Sequence, residues 1–389
     1  MAADKKATLE ILPIEYDTGT LVLAAFSTGH EGRTVSLQYK DGDEWKEAAS
    51  GEMDAAGTVS FTLDSVEENT SYRAVADTYQ VSASETVEPI RTPVVEAGGQ
   101  WNQLLRDDFS EDELDDRWNY TAYGQYWGSR LCSSVDPGQT IVEDGNLVQW
   151  IHQLDSKDPD EKNIIRDVTN NAEKERKARR SAAIEAASNA KELKKAKAMD
   201  TEGCPDGVFY NARVETKDAF TMSQGMIAAR VKFPKDQGMH GSVWLQTTRN
   251  PSVDRPLGTE IDMIESFGYG KGVSNIIHYD DDGNGKLQQH GFYVIKEQTA
   301  NPDWWDEYHV YSVEWGESGF IFRIDGVETE RFDKKPVKGD EHYLAISMLA
   351  SDWETKYIKK PSGKLPGLQE ADLPNAKMYV DWIEAWERA

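Results

Sequence analysis

The residues best suited to chemistry are three acids in one predicted strand, which begins at residue 258 and reads Gly-Thr-Glu-Ile-Asp-Met-Ile-Glu-Ser-Phe. Side chains two positions apart in a strand point to the same face, so Glu260 and Asp262 share a face. Glu265 has the opposite parity, but a one-residue β-bulge near Met263 or Ile264 would return it to that face. The sequence therefore predicts three carboxyl groups in a row.

This acid triplet is costly for stability, because like charges repel and the stretch contains no Lys or Arg. Chemistry offers a reason for it. Two carboxyl groups roughly 5 Å apart can serve as nucleophile and as acid/base in the hydrolysis of a glycosidic bond with retention of configuration. A third acid between them would keep their pKa values apart. The pattern therefore favours glycoside chemistry.

Period-two alternation of apolar and polar residues surrounds the triplet and predicts about ten strands. The predicted strands are Leu147–Ile151, Phe209–Thr216, Gly225–Phe233, Gly241–Thr247, Glu260–Ser266, Val273–Tyr279, Tyr308–Trp315, Gly319–Ile324, Tyr343–Leu349 and Met378–Trp386. Such strands without alternating helices favour antiparallel sheets packed as a sandwich or jelly roll. We therefore expect an all-β fold.

One predicted insertion, at about 165–200, departs from the strand pattern. Residues 171–199 are rich in Ala, Lys, Arg and Glu and lack Gly and Pro, which favours a helix. Spacings of four and three predict a weakly apolar stripe that packs on the sandwich; it consists of Ala178, Ala182, Ala186, Ala190 and Leu193. The excess of basic residues indicates either an anion site or a solvated helix attracted to its acidic domain.

Residues 1–97 are predicted to form a small N-terminal immunoglobulin-like or fibronectin-like β-sandwich. Six or seven short strands alternate between Thr8 and Thr92, with turn signals between them. The glycines at 98 and 99 mark a flexible joint, so the second domain spans 98–389. The first region holds one Trp, Trp45, which favours a spacer over a sugar-binding module.

Composition limits the partners. The 389 residues include 43 Lys and Arg against 69 Asp and Glu, a net charge of -26. This charge repels phosphate backbones and anionic head groups, and no apolar run is long enough to span a bilayer. We therefore expect neither nucleic-acid nor membrane binding, and a monomer. The first residues show no signal peptide, which an exported protein would also lack once processed.

The chain resembles glycoside hydrolase family 16, specifically members with a bulged Glu-x-Asp-x-x-Glu strand such as laminarinases, agarases and carrageenases. The resemblance covers about residues 105–387 and includes five further segments in the family's order. These are Asp107–Phe109 with Leu114–Trp118, Gly225–Phe233 with Gly238–Trp244, His309–Trp315, Phe320–Gly326 and Tyr379–Trp382. The resemblance implies a concanavalin-like β-jelly-roll that needs no cofactor for catalysis.

The resemblance also implies roles for the acids. Glu260 would be the nucleophile that forms a glycosyl-enzyme, Glu265 the acid/base, and Asp262 an assisting acid between them. His278, on the next predicted strand, matches a His that lies near the catalytic acids in this branch. An ordinary strand histidine is the alternative for His278.

Sugar rings present apolar faces, so binding subsites need aromatic platforms. Trp244 is the best candidate, because it precedes the catalytic strand in the family's cleft-lining position. Tyr126, Trp127 and Trp353 fall in predicted loops that would rim the cleft. Arg249 could bind sugar hydroxyls, and a solvated loop role is the alternative.

Two further sites are expected away from the acids. Many family members bind a structural calcium through a carboxylate and backbone carbonyls, and Asp381 matches the carboxylate, with Gly145 and Asp108 as carbonyl donors. Cys132 and Cys204 lie on either side of the helical insertion and could form one disulfide, although two unrelated buried thiols are the alternative. A bridge would support a secreted, extracellular protein.

The leading hypothesis is an endo-acting retaining glycoside hydrolase of a β-linked polysaccharide, with a β-1,3-glucan as the most frequent substrate in the family. A β-galactan hydrolase or a transglycosylase would use the same residues. A non-catalytic, lectin-like polysaccharide-binding protein is the alternative from another class, since fold alone does not establish function. An adhesion protein that uses the basic helix is a third. The acid triplet favours an enzyme.

Overall fold

The computed structural model describes most of the chain. The described residues are 2–3, 6–27, 30–121, 124, 130–280, 283–291, 299–350, 353–361 and 371–389. Among them, no helix is both long enough and apolar enough to cross a bilayer.

The N-terminal part of the described chain consists of short strands. These are β1 Ala2–Ala3, β2 Thr8–Tyr16, β3 Gly19–Ala25, β4 Thr34–Asp41, β5 Glu44–Glu52, β6 Thr58–Leu63, β7 Ser71–Ala76, β8 Tyr79–Ser82, β9 Glu85–Val87, β10 Ile90–Arg91 and β11 Val95–Glu96. One sheet has the order β2-β3-β6, and a second has the order β1-β10-β7-β4-β5 with β11 also paired to β7. A third, β8-β9, is a two-stranded hairpin.

The apolar faces of the two larger sheets form one core. In β6, for example, Val59, Phe61 and Leu63 are buried while the residues between them are exposed, as period-two alternation requires. Tyr72 is buried in the same core and bonds to the backbone of Glu67, five residues upstream, which is typical of a tyrosine corner. The immunoglobulin-like assignment of this sandwich remains a prediction.

The stretch Val87–Thr92, at the end of this strand-rich part, is not a single strand. The chain instead forms two short strands, β9 and β10, that pair with different partners. Pro89 lies between them, and a proline cannot donate a backbone hydrogen bond to a neighbouring strand.

The remaining strands form the larger β-sandwich. They are β12 Trp101–Asp107, β13 Ser133–Val135, β14 Thr140–Glu143, β15 Asn146–Gln149, β16 His152–Gln153, β17 Phe209–Glu215, β18 Gly225–Lys232, β19 His240–Thr247, β20 Thr259–Ser266, β21 Val273–Tyr279, β22 Gln288–His290, β23 His309–Gly316, β24 Gly319–Ile324, β25 Val327–Phe332, β26 His342–Leu349 and β27 Met378–Arg388.

These strands form two mainly antiparallel sheets. The outer sheet has the order β14-β15-β27-β18-β23-β24-β25, with β12 also paired to β27. The inner sheet has the order β13-β17-β26-β19-β20-β21-β22, with β16 also paired to β17. A single apolar core between them takes residues from both, such as Ile227 and Phe322 from the outer sheet and Val243, Ile261 and Ile346 from the inner sheet. The predicted all-β jelly roll is confirmed.

The helical insertion is α1 Pro159–Ala186 and α2 Ala190–Lys197, and a short helix, α3 Lys356–Lys359, lies near the C-terminus. α1 begins where Asp158 accepts a hydrogen bond from the amide of Asp160 and Pro159 occupies the first turn, a favourable N-terminal cap. Cys132 and Cys204 form a disulfide that joins the two ends of the insertion.

The predicted apolar stripe is wrong. Ala178, Ala182, Ala186 and Ala190 are exposed. The helix packs instead through its first half, where the buried residue Val168 and the half-buried Ile164 contact Leu154 and Val208. Branched side chains bury more apolar area than Ala does, so they determine which face packs.

The N-terminal strands also pack against the outer sheet of the larger sandwich. Leu12 and Ile14 of β2 join a buried cluster with Met226, Ala228 and Trp386 of the outer sheet. The two parts are thereby in apolar contact on the face opposite the inner sheet.

Candidate active site

The acid triplet lies on β20, in the middle of the inner sheet. Glu260 is opposite His278, and Asp262 is opposite Ile276, but Glu265 is opposite Ser274. Three residues on β20 therefore span two on β21, which is the predicted one-residue bulge. The bulge brings Glu260, Asp262 and Glu265 to the open face of the sheet, while Ile261 and Ile264 are buried in the core.

Charged and polar side chains from the neighbouring strands surround the triplet. Trp244 of β19 and Ser274 and His278 of β21 lie in register with the acids. His240 of β19 lies beside Glu265. Arg213 of β17 stacks over the Trp244 ring, with its guanidinium carbon 4.6 Å from the ring centroid. The positive charge that β20 itself lacks is thus supplied by other strands of the sheet.

Glu260, Asp262 and His278 form one compact cluster. His278 Nε2 lies 3.4 Å from Asp262 Oδ2 and 3.8 Å from Glu260 Oε1. Burial, followed by the Glu260 charge, raises the pKa of Asp262 to about 8. The hydrogen bond to Asp262 raises the pKa of His278 to about 9. At neutral pH Asp262 and His278 therefore both hold protons, which relieves the repulsion between the acids.

Burial also raises the pKa of Glu260, against the lowering effect of the His278 charge. The side chain of Glu260 remains 28% exposed, compared with 8% for Asp262. Of the two acids in this cluster, Glu260 is therefore the one that an incoming molecule can reach more directly. The atoms of Glu260, Asp262 and His278 that could ligate a metal ion lie within 4.8 Å of one another. Chemistry between two carboxyl groups needs no ion there, and we assign none.

Glu265 has a different environment. His240 Nε2 lies 2.8 Å from its Oε1, and the Ser274 hydroxyl donates to its Oε2 over 3.0 Å. Burial alone would raise the pKa of Glu265, but the charge and hydrogen bonding of His240 outweigh it and hold that pKa below its usual value. Burial lowers the pKa of His240, but the Glu265 carboxylate prevails and that pKa is raised.

The predicted aromatic platforms fall in different places. Trp244 lies on the open face next to Asp262, and its Nε1 donates to Ser347 Oγ over 3.2 Å. One of its faces is covered by Arg213. Trp353 is 47% exposed and its ring lies 6.2 Å from that of Phe267. Tyr126 and Trp127 lie outside the described residues.

Arg249 stabilises the loop to which it belongs. Its guanidinium donates to the carbonyl oxygens of Pro256 and Lys338 and lies 3.5 Å from Asp340 Oδ1. The side chain is 21% exposed. These contacts favour the loop role over sugar binding for Arg249.

Asp381, the predicted calcium carboxylate, is paired with a guanidinium. Arg230 Nη1 donates to Asp381 Oδ2 over 2.7 Å, and the same guanidinium lies 3.3 Å from Asp17 of the N-terminal part. A divalent cation bound by Asp381 would lie close to this positive charge. Asp108 is largely exposed and lies 3.9 Å from Arg106, and Gly145 is in the turn between β14 and β15. This arrangement does not fit a calcium site.

Sequence reasoning missed two residues close to Glu265. His240 lies on β19 four residues before Trp244, so the parity that places Trp244 in the cleft places His240 there too. Arg130, whose Nη2 lies 3.2 Å from His240 Nδ1, gave no such signal. It comes from a loop more than a hundred residues earlier, and only folding brings it to the site.

Comparison with known proteins places the chain in a family. The sequence model of the family described as "Glycosyl hydrolases family 16" matches residues 167–384, more than half of the chain. The match contains β20 and both of its neighbouring strands. The chain therefore belongs to glycosyl hydrolase family 16.

Two curated relatives are similar over part of their length. Glucan endo-1,3-beta-glucosidase A1 of Niallia circulans is 25% identical over 192 residues, which are 46% of this chain and 26% of that protein. The clotting factor G alpha subunit of Tachypleus tridentatus is 26% identical over 197 residues, 47% of this chain and 26% of that protein. The chain spans about a quarter of the length of each.

Solved structures are also similar. The endo-beta-1,3-glucanase of Pyrococcus furiosus is 19% identical, with a TM-score of 0.48 over 75% of this chain and 97% of that one. The laminarinase catalytic domain of Thermotoga petrophila RKU-1 is 19% identical, with a TM-score of 0.47 over 74% of this chain and 98% of that one.

Proposed function

We propose that the protein is an endo-acting retaining glycoside hydrolase that cleaves a β-linked polysaccharide, with a β-1,3-glucan as the leading substrate. The observation that carries this proposal is the bulged strand β20, which presents Glu260, Asp262 and Glu265 on the open face of the inner sheet. Membership of glycosyl hydrolase family 16 and the similarity to a glucan endo-1,3-beta-glucosidase support the reaction and the substrate.

In the first step, a Glu260 carboxylate oxygen attacks the anomeric carbon while the bond from that carbon to the leaving oxygen breaks. Glu265 gives its proton to the leaving oxygen. The products are a glycosyl ester on Glu260, an ionised Glu265 and a shortened polysaccharide with a free hydroxyl. Asp262, protonated beside Glu260, stabilises the developing charges without forming a covalent bond.

In the second step, water attacks the anomeric carbon from the side that the leaving group vacated. Glu265 accepts a proton from the water, and the ester bond to Glu260 breaks. The sugar is released with its original configuration, and both carboxyl groups return to their starting states. Trp244 and the exposed ring of Trp353 supply apolar surface for sugar rings.

Replacing Glu260 or Glu265 tests this proposal. E260A and E265A are each expected to lose at least about 10³-fold in release of reducing ends from laminarin, because each removes a group that forms or breaks a bond. E317Q, which changes an exposed Glu in the turn between β23 and β24 of the outer sheet, is the matched control and should retain full activity. Laminarin hydrolysis by both alanine variants at the wild-type rate would contradict the proposal.

Sodium azide separates the two roles. The substrate for this test is an aryl β-glycoside. In E260A, azide can enter the space left by the nucleophile and displace the aryl group, which gives an α-glycosyl azide of inverted configuration. In E265A, azide can instead attack the glycosyl ester, which gives the β-glycosyl azide. Proton NMR of the azide products distinguishes these outcomes, and the same configuration from both variants would reject the assigned roles.

A substrate panel tests the sugar and the alternatives. Laminarin, mixed-linkage β-glucan, agarose and carrageenan are incubated with the protein, and product sizes are read by chromatography. Internal cleavage of laminarin to short oligosaccharides is the expected result. Cleavage of a galactan but not of laminarin would assign a β-galactan as the substrate. Products longer than the starting oligosaccharides would indicate a transglycosylase. Binding of a polymer without cleavage of any of them would indicate a binding protein.

We further propose that the protein acts outside the cell and that residues 1–97 form a structural module. The disulfide between Cys132 and Cys204 supports the first proposal, since such bonds persist in oxidising surroundings. The apolar contact of β2 with the outer sheet supports the second.

A further inference from the structure

His240 is a buried histidine that the proposed reaction does not use directly. It lies on β19 beside the acid/base Glu265, and its ring stacks on Phe267 with the ring centroids 4.7 Å apart. Its two ring nitrogens have different partners. Nε2 lies 2.8 Å from Glu265 Oε1, and Nδ1 lies 3.2 Å from Arg130 Nη2.

Arg130 determines which nitrogen of His240 carries the hydrogen. A guanidinium has only donors, so the Nδ1 that faces Arg130 must be the acceptor. The hydrogen of the neutral ring then lies on Nε2, toward Glu265 Oε1. If His240 gains a second proton, Arg130 must withdraw from Nδ1, but Nε2 keeps its hydrogen. An N–H therefore lies beside Oε1 in either state, although at 2.8 Å the two atoms do not have hydrogen-bond geometry in the free protein.

The second oxygen of Glu265 has a donor as well. The Ser274 hydroxyl bonds to Oε2 from the strand on the other side. A carboxyl group with a histidine N–H beside one oxygen and a hydroxyl bonded to the other is favoured in its ionised form. The first step of the proposed reaction needs the protonated form, so the productive population of the free protein is a minority.

We propose that His240, fixed by Arg130, is a positioning residue that holds the acid/base Glu265 in its ionised form until substrate binds, and so limits the reaction on the alkaline side. This inference rests on the proposed function, because it assumes that Glu265 protonates the leaving group. It assigns to His240 control of the acid/base rather than contact with the sugar.

Other charges also face Glu265 and belong in the argument. Glu260 and Asp262 lie on the same strand, His278 lies on β21, and Glu354 and Arg130 interact with His240 from loops. All of these remain in a variant that changes His240 alone. A comparison of wild type with such a variant at each pH therefore isolates the effect of His240 on Glu265.

The test is the pH dependence of kcat/KM on laminarin for wild type, H240F and H240Q. When both Glu260 and Glu265 are ionised, the rate is proportional to the small population with a proton on Glu265. Loss of the donor in H240F raises that population, so kcat/KM on the alkaline side should rise relative to the profile maximum. The rise should be about three- to tenfold, the effect of one hydrogen bond.

On the acid side, where Glu265 is already protonated, the shape of the profile should not move. H240F keeps a flat ring against Phe267, and H240Q keeps an N–H donor and should restore the wild-type profile. S274A removes the donor from Oε2 and should move the alkaline side in the same direction as H240F. Circular dichroism melts confirm that each variant is folded.

Two outcomes would overturn the proposal. One is an H240F profile of unchanged shape with only its height reduced, which a structural role would produce. The other is an alkaline side that moves to lower pH. Neither outcome bears on the proposed function, which fails separately if E260A and E265A remain fully active.

Discussion

Asp262 is the most strongly perturbed acid in the cluster on β20, and its cost to the fold depends on pH. Its pKa of about 8 in the folded protein lies far above the ordinary value of 3.8. Between these values the folded state holds a proton that the unfolded state has released, so stability falls as pH rises from about 4 to 8. His278, with a pKa of about 9 against 6.5, adds a loss of the same sign at higher pH.

The variant D262N should therefore stabilise the protein on the alkaline side. We expect the Tm of D262N to gain on that of wild type as pH rises, so that the Tm difference, variant minus wild type, is larger by about 3 °C or more at pH 9 than at pH 6. Calorimetry at the two pH values measures this. The exposed substitution D112N is the control, and an equal Tm difference at both pH values would contradict the assignment. Activity should fall, since the site sacrifices stability for function.

The helical insertion is an element whose attachment depends on both ends. α1 contacts the sandwich through its first half, and the disulfide joins Cys132, just before β13, to Cys204, just before β17. Arg130, which contacts His240, lies two residues before Cys132. The same bond that closes the insertion thus also anchors the loop that carries Arg130 to the candidate active site.

The double variant C132A/C204A should lower the free energy of unfolding by roughly 4 kcal/mol, the chain-entropy value for a cross-link that spans 72 residues. Urea unfolding in non-reducing buffer, followed by tryptophan fluorescence, gives the change in midpoint. Wild type with added reductant should match the variant. Equal midpoints for oxidised wild type and the variant would show that the bond does not constrain the unfolded chain.

At the scale of the whole molecule, the N-terminal strands and the outer sheet share an interface. Its centre is the apolar cluster that includes Leu12 and Ile14. Its edges carry ion pairs, in which Arg230 lies 3.3 Å from Asp17 and Arg388 lies 2.6 Å from Glu10. A buried apolar centre with charged edges is typical of a stable interface between domains, so we expect the two parts to unfold together.

The variant I14D places a charge in this cluster, where Ile14 is 1% exposed. We expect a single calorimetric transition for wild type and two transitions for I14D, because a buried unpaired charge opposes docking. V81D, at a site that is 42% exposed, is the matched control and should behave as wild type. A single transition at the wild-type temperature in I14D would show that this cluster does not couple the two parts.

Addition of EDTA should leave the Tm of the wild-type protein unchanged, because Arg230 already pairs with the Asp381 carboxylate.

Local patterns determined much of this protein. The alternation of apolar and polar residues predicted the ends of most strands of the larger sandwich to within two residues, because a sheet with one buried face requires period two. The parity of Glu260, Asp262 and Glu265 required a bulge, and β20 contains it. Helix propensity identified the insertion, although it gave the wrong packing face, since the exposed alanines contribute little buried area.

What only the tertiary structure decided is how distant residues neutralise and orient the acids. His240 and His278 reach them because β19 and β21 lie on either side of β20, an order that no local pattern specifies. Arg130 reaches His240 from a loop, and Arg230 pairs with Asp381 where the sequence suggested calcium. Sequence spacing places side chains on one face of one strand, but pKa values and ion pairs depend on distances through space, which folding alone sets.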